Sequence, residues 1–210
     1  MSANDIKELG RIQRLFARIT GKRRTIMLAG YSGSGKTTIL TVLHLKRDVT
    51  DEDVKRYTQG LTRYYLEYKT NKGKSIYIKS VDTPGVPMAV NDPIFEEELK
   101  KHDYIIYFLN VYEFVKGNNA AAKEWSLTWL QKINKFARDN GKLMLLILSH
   151  ADKYLEKVEN KEYSKANKAI IREMFFSDSG LLSRLDYSCN YMIENVQKFS
   201  DVKEIINYFV

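Results

Sequence analysis

Eight consecutive residues, Gly30-Tyr31-Ser32-Gly33-Ser34-Gly35-Lys36-Thr37, place three glycines, a lysine and a hydroxyl in an order suited to holding phosphate. The glycines let the backbone turn tightly, so that successive N–H groups face inward as a nest for phosphate oxygens. A helix starting at Thr37 adds the positive end of its dipole. Lys36 reaches outer phosphates as a point charge, and the Thr37 hydroxyl is a hard oxygen ligand suited to Mg²⁺. The spacing Gly, four residues, then Gly-Lys-Thr is that of a phosphate loop, and it falls where such a loop must fall, between a strand and a helix. Ser32, Gly33, Ser34, Gly35, Lys36, Thr37 and Thr38 are therefore nucleotide-binding candidates, and Thr37 is also a metal-ligand candidate. A chance glycine-rich turn is the bland alternative, and the context speaks against it.

A second acid follows downstream in Asp82-Thr83-Pro84-Gly85. A carboxylate at the end of a strand beside a phosphate loop is placed to hold Mg²⁺, usually through water, which makes Asp82 a second metal candidate. Gly85 has no side chain, so its N–H can approach a γ-phosphate and be released when that phosphate leaves. Thr62 and Thr58 both precede the next strand at suitable distances to act as a switch threonine on the metal. Thr62 is preferred.

These groups need elements to position them. Residues 25–29 read as a strand, 37–45 as a helix, and 63–68 with 75–81 as a hairpin across the turn Asn71-Lys72-Gly73-Lys74. Residues 104–109 and 143–148 are buried-type strands flanking a long helix over 118–140. Asp92-Pro93 opens a shorter helix. A helix over 164–176, a strand over 185–189 and a final helix from Asp201 complete the chain. Strands alternating with helices predict an α/β fold: a mostly parallel six-stranded sheet with one antiparallel edge strand and helices on both faces.

The strand over 143–148 runs directly into Ser149-His150-Ala151-Asp152. The order phosphate loop, Asp-Thr-Pro-Gly, buried strand, helix, buried strand, Ser-His-Ala-Asp resembles the Ras-like GTPase family, from residue 25 to the end of the chain. The resemblance implies a P-loop GTPase domain with Mg²⁺ and GTP or GDP as ligands. It gives Asp152 the two hydrogen bonds to the guanine edge, with Ser149 and His150 standing where the family has Asn/Thr and Lys. The family's fifth motif would be Ser188-Cys189-Asn190, which makes Cys189 and Asn190 nucleotide-contact candidates. Its catalytic glutamine is absent, and Val86 stands there. A valine cannot orient water, so slow intrinsic hydrolysis is expected unless a partner supplies that function. Asp-Thr-Pro-Gly and the hydrophobic replacement resemble septin-like, AIG1-like and signal-recognition-receptor-β-like branches as much as Ras itself, and the subgroup stays open. The expected function is a GTP-dependent switch, with a nucleotide-binding scaffold of little turnover as the alternative. A P-loop ATPase or kinase is disfavoured by Asp152 and by the lack of a basic lid pattern.

The net charge of +8 is concentrated, because residues 1–24 contribute +5 of it. A basic face spread over the domain is missing, and no nucleic-acid partner is expected. Ile6, Leu9, Ile12, Phe16 and Ile19 recur at helical steps, predicting an amphipathic basic helix over 4–20 ahead of a GTPase domain over 25–210. That helix would pack on its own domain, dock on a protein partner or regulator, or make peripheral membrane contact. One cysteine, no signal sequence and no long apolar run lead to the expectation of a cytoplasmic protein.

Overall fold

The computed structural model describes residues 6–8, 23–57, 63–69, 75–82, 93–177, 180, 182–183 and 189–209. Seven strands form its sheet: β1 (Ile6–Glu8), β2 (Arg23–Gly30), β3 (Arg63–Lys69), β4 (Ser75–Asp82), β5 (Tyr104–Asn110), β6 (Leu143–Ser149) and β7 (Asn190–Ile193). Their spatial order is β1-β3-β4-β2-β5-β6-β7. The helices among the described residues are α1 (Lys36–Leu45), α2 (Asp51–Tyr57), α3 (Pro93–Lys101), α4 (Val111–Lys116), α5 (Ala120–Asp139), α6 (Ala151–Lys157), α7 (Lys168–Phe176) and α8 (Phe199–Asn207).

The sheet's centre is built from runs that are apolar on both faces, as strands covered by helices on each side require. In β5, Ile105, Tyr107 and Leu109 enter one core while Ile106 and Phe108 enter the other. In β6, Met144, Leu146 and Leu148 point one way and Leu145 and Ile147 the other. This is the two-residue period of a pleated strand. The first core is closed by Trp129, Leu130 and Ile133 of α5, the second by Ile39, Leu40 and Val42 of α1 with Val202, Ile205 and Ile206 of α8. Parallel pairing of β2 with β4 and β5, β5 with β6, and β6 with β7 brings the C-terminal ends of these strands to one edge. Ligands of open α/β sheets bind along that edge.

Local chemistry sets the helix starts. Asn119 caps α5, its side chain accepting from the Ala122 N–H at 3.0 Å, and Asn110 caps α4 by accepting from Glu113 N–H at 3.0 Å. Gly35 precedes α1 with a left-handed φ of 100°.

Several expectations change. The sheet has seven strands rather than six, and β3 runs antiparallel between β1 and β4 instead of on the edge. Residues 6–8 form β1, paired with Tyr68, Glu67 and Leu66, where the sequence predicts helix. The free backbone groups along β3 explain this, since a short segment can satisfy them by pairing and helical periodicity does not report on such an edge. Residues 4–5 and 9–20, the remainder of the predicted amphipathic helix, lie outside the described residues. The last strand sits at Asn190–Ile193, after the predicted 185–189, and α7 begins at Lys168 rather than 164. No described helix is long and apolar enough to cross a membrane.

Leu146 of β6 is fully buried in the core closed by α5. Leu146→Ala is expected to destabilise the fold by roughly 2–5 kcal/mol, from lost transfer energy plus the cavity left behind. Urea unfolding monitored by tryptophan fluorescence measures it.

Candidate functional site

The phosphate-loop segment joins β2 to α1 at the C-terminal edge of the sheet. Gly30 has φ 141°, and a Cβ there would stand 2.4 Å from the Phe108 carbonyl oxygen, so no other residue fits. Gly35 has φ 100°, and its Cβ would meet the Val196 side chain at 2.9 Å. Lys36 is 6% exposed, and its Nζ donates to the carbonyls of Gly30 (2.8 Å) and Tyr31 (3.0 Å). The ammonium is thereby held across the loop's start. Thr37 and Thr38 lie in the first turn of α1, both half-buried.

Two side chains pin the loop by its carbonyls. Asn110, at the end of β5, donates through Nδ2 to Gly33 O at 3.0 Å. Ser149, at the end of β6 and fully buried, has its hydroxyl 2.7 Å from Ser34 O and 3.2 Å from Leu109 O. The Gly33 and Ser34 carbonyls are thus engaged by side chains of neighbouring strands, and Ser34 N–H donates within the loop to Tyr31 O at 3.2 Å. The Ser-His-Ala-Asp motif is thus tied into the phosphate loop by its first residue.

His150 follows with φ 56°, a left-handed conformation that few residues other than glycine adopt, and it precedes α6. Its Nδ1 lies 3.2 Å from Ser149 Oγ. Burial first, and Lys153 second, push its pKa below the ordinary value, against the pull of Asp152 and Asp51, so the ring is neutral at pH 7. Asp152, in the first turn of α6, accepts a hydrogen bond from Asn195 Nδ2 at 3.1 Å.

Asn195 is the residue that sequence reasoning missed. It lies just beyond β7, in a loop whose backbone is organised by its neighbours. Asn195 N–H donates to Asp201 at 3.1 Å, and its Oδ1 accepts from Gln197 N–H at 3.0 Å. The loop is docked on the α1–α2 connection through Val49 N–H to Gln197 O (3.0 Å), Phe199 N–H to Asp48 (2.9 Å) and the Lys198–Asp48 pair (3.0 Å). Its available signal was the polar break Glu194-Asn195 after the β-forming pair Met192-Ile193.

The fifth-motif candidates lie elsewhere on β7. Asn190 opens β7 opposite Leu145, and β7 ends at Ile193 opposite Leu148, next to Ser149. Cys189 and Asn190 therefore sit at the end of β7 remote from the phosphate loop. Cys189 packs against the α5-side core, and burial pushes its thiol pKa up. Asn195 and Val196 are the residues beyond β7 that lie by Asp152 and Gly35.

Asp82 ends β4, and its neighbour in β2 is Leu28, two residues before Gly30. Its backbone thus reaches the same edge as Thr37. Thr58, Thr62, Thr83 to Val86 and Ser188 lie outside the described residues.

Strand, glycine-rich loop and helix, with a carboxylate-bearing strand end on one side and an Asp loop on the other, define a P-loop nucleotide-binding α/β domain. The model of the family described as 50S ribosome-binding GTPase matches residues 25–171 of this chain. The chain belongs to that family, and membership implies guanine-nucleotide binding. No curated protein sequence matches it. Among solved structures, it is similar to the FeoB G-domain from Methanococcus jannaschii, at 18% identity and TM-score 0.48, over 89% of this chain and 96% of that one.

Beside Asn195, Glu194 is 8% exposed and paired with Lys168 of α7 at 2.8 Å. Burial outweighs that lysine and pushes its pKa from 4.5 up to about 7. Folded, this carboxyl keeps its proton to about pH 7, whereas the unfolded chain releases it near 4.5. Its contribution to stability is therefore full below the lower value and falls as pH rises to the upper one. Wild type is expected to lose melting temperature relative to Glu194→Gln between pH 5 and pH 7. Differential scanning calorimetry of both proteins across that range checks the sign.

Proposed function

We propose that the chain binds Mg·GTP, hydrolyses it slowly to GDP and acts as a nucleotide-dependent switch. The observation that carries this reading is the hydrogen-bonded union of two loops, phosphate loop to Ser149 and Asp152 to Asn195, at the edge of one parallel sheet. In this reading the N–H groups of Ser32 to Thr38 and the Lys36 ammonium hold the phosphates. Asp152 accepts from the guanine N1–H and exocyclic amine, bonds worth ~1.5–3 kcal/mol each because the acceptor is charged. Asn195 keeps that carboxylate turned toward the base, and neutral His150 offers a flat ring against it, where the wider GTPase family places a lysine stem.

The donor types suit Mg²⁺, since the hydroxyl of Thr37 and the carboxylate of Asp82 are both hard oxygens. Thr62 would complete the set in the triphosphate state. Bound there, the metal would neutralise charge between the outer phosphates. Gly85 would report the γ-phosphate by backbone contact, and its release on hydrolysis is the switching event in this account.

Val86 favours a second reading, a nucleotide-binding scaffold with little or no hydrolysis. Where turnover occurs, a protein partner or regulator would have to position the attacking water. The basic N-terminal segment would serve partner docking or peripheral membrane contact, and cytoplasmic placement is part of the same proposal.

GDP and GTP with Mg²⁺ are expected to raise the melting temperature far more than ADP and ATP. Asp152→Asn is expected to shift preference from guanine to xanthine nucleotides. Equal stabilisation by adenine and guanine nucleotides would remove the assignment. Val86→Ala is expected to leave the basal hydrolysis rate within about threefold in a phosphate-release assay, since valine supplies neither proton nor water contact.

A further inference from the structure

Beside the phosphate loop, the described residues enclose a cavity of about 500 Å³. Tyr31 to Ser34 make one wall, Asn110 and α4 a second, and the start of α5 with one face of α6 the remainder. Lys36, Thr37, Asp152 and Asn195 are not part of its lining, whereas Ser32, Gly33, Ser34 and His150 are. Asn110, also in the lining, holds the Gly33 carbonyl. The cavity thus adjoins the proposed nucleotide site and shares the loop backbone of Ser32 to Ser34 and the His150 ring with it.

Its lining is electropositive and uncompensated. Lys123 of α5 with Lys153 and Lys157 of α6 face one carboxylate, Glu113. None of the three lysines forms an ion pair among the described residues. Lys157 stands 5.8 Å from the centroid of the Tyr112 ring, and Lys123 Nζ lies 3.4 Å from Val115 O, both weak substitutes for an anion. Lys153 and Lys157 are four apart on one helix, where like charges repel. The N-terminus of α5 lies in the same wall, through Asn119 and Ala122, and its first turn contains no acidic residue to offset the helix dipole. Ser34, also in the lining, is 1% exposed and its hydroxyl has no hydrogen-bond partner. Tyr31 and Tyr112 add flat apolar surface. Clustered cations, a helix N-terminus and aromatic faces around a space of this volume suit one chemistry.

We propose that this cavity binds a small phosphorylated ligand, no larger than a nucleoside monophosphate, beside the phosphate loop. The phosphate lies among Lys123, Lys153, Lys157 and the first N–H groups of α5, and any organic part lies on Tyr31 and Tyr112. Because Asn110 belongs to both sites, occupancy changes affinity for the nucleotide, and by linkage that nucleotide changes affinity for the ligand in the cavity.

The full chain saturated with Mg·GDP is titrated calorimetrically with AMP and, separately, with inorganic pyrophosphate. AMP binding alone shows that an organic part is needed, and binding of both shows that phosphate suffices. At least one probe is expected to bind saturably, and Lys123→Gln/Lys157→Gln is expected to weaken it by about tenfold or more while GDP affinity changes by less than about threefold. Failure of both probes to bind at millimolar concentration, or equal binding to the double variant, would overturn the proposal. Failure of GDP itself to bind would instead count against the nucleotide assignment. The same comparison of wild type and variant, made on the nucleotide-free chain, then still decides the cavity.

Discussion

A single buried hydroxyl joins the two halves of the site. Ser149 has no exposed surface, and its Oγ lies within hydrogen-bonding distance of two carbonyls, Ser34 O in the phosphate loop and Leu109 O at the end of β5. A buried carbonyl deprived of its donor costs on the order of 1–3 kcal/mol, so the contact constrains both partners. Ser149 and Asn110 hold the Ser34 and Gly33 carbonyls, while the Gly30 and Tyr31 carbonyls accept from Lys36. Three residues beyond Ser149, Asp152 inherits its position from the same strand end. The phosphate loop and the Ser149–Asp152 segment are thus held by neighbouring strands in register, β5 and β6.

Much of this was legible in the sequence because it depends on residue types with few alternatives. Gly30 and Gly35 announce the loop, since the positive φ values and the close approaches to Phe108 O and Val196 exclude a side chain. The runs in β5 and β6 announce strands buried on both faces, because helices cannot hide a continuous apolar segment on one stripe. Ser149 to Asp152 could be found because they follow such a run immediately. The signals failed where the deciding interactions are non-local. Ile6–Glu8 has helical apolar spacing but pairs with an open strand edge that lies sixty residues away in the chain. The short strand Asn190–Ile193 has no pattern strong enough to fix its end, so the loop after it was sought too early, at Cys189 and Asn190 instead of Asn195.

The loop carrying Asn195 is where electrostatics and geometry meet. Asn195 holds Asp152, while the preceding residue, Glu194, is buried against Lys168 and keeps its proton to about pH 7. Asp201 stands in the same cluster, accepting from Asn195 N–H and adding to the repulsion that raises Glu194. A negative group brought near Asp152 would disfavour the orientation that a guanine edge needs, and the partly protonated state of Glu194 limits that repulsion. The helix α7, which supplies Lys168, thereby contributes to the loop that holds Asp152.

The central claim is that the Ser149 tether sets the phosphate loop and the base reader as one unit for guanine nucleotides. The measurement that tests it most directly is the dissociation constant of Mg·GDP for wild type and Ser149→Ala, with Mg·ADP as the control ligand. The account predicts that GDP binds wild type far more tightly than ADP does. It also predicts that Ser149→Ala loses about tenfold or more in GDP affinity while the fold stays intact by circular dichroism. Unchanged GDP affinity in a folded Ser149→Ala protein, or GDP and ADP binding alike to wild type, would contradict it.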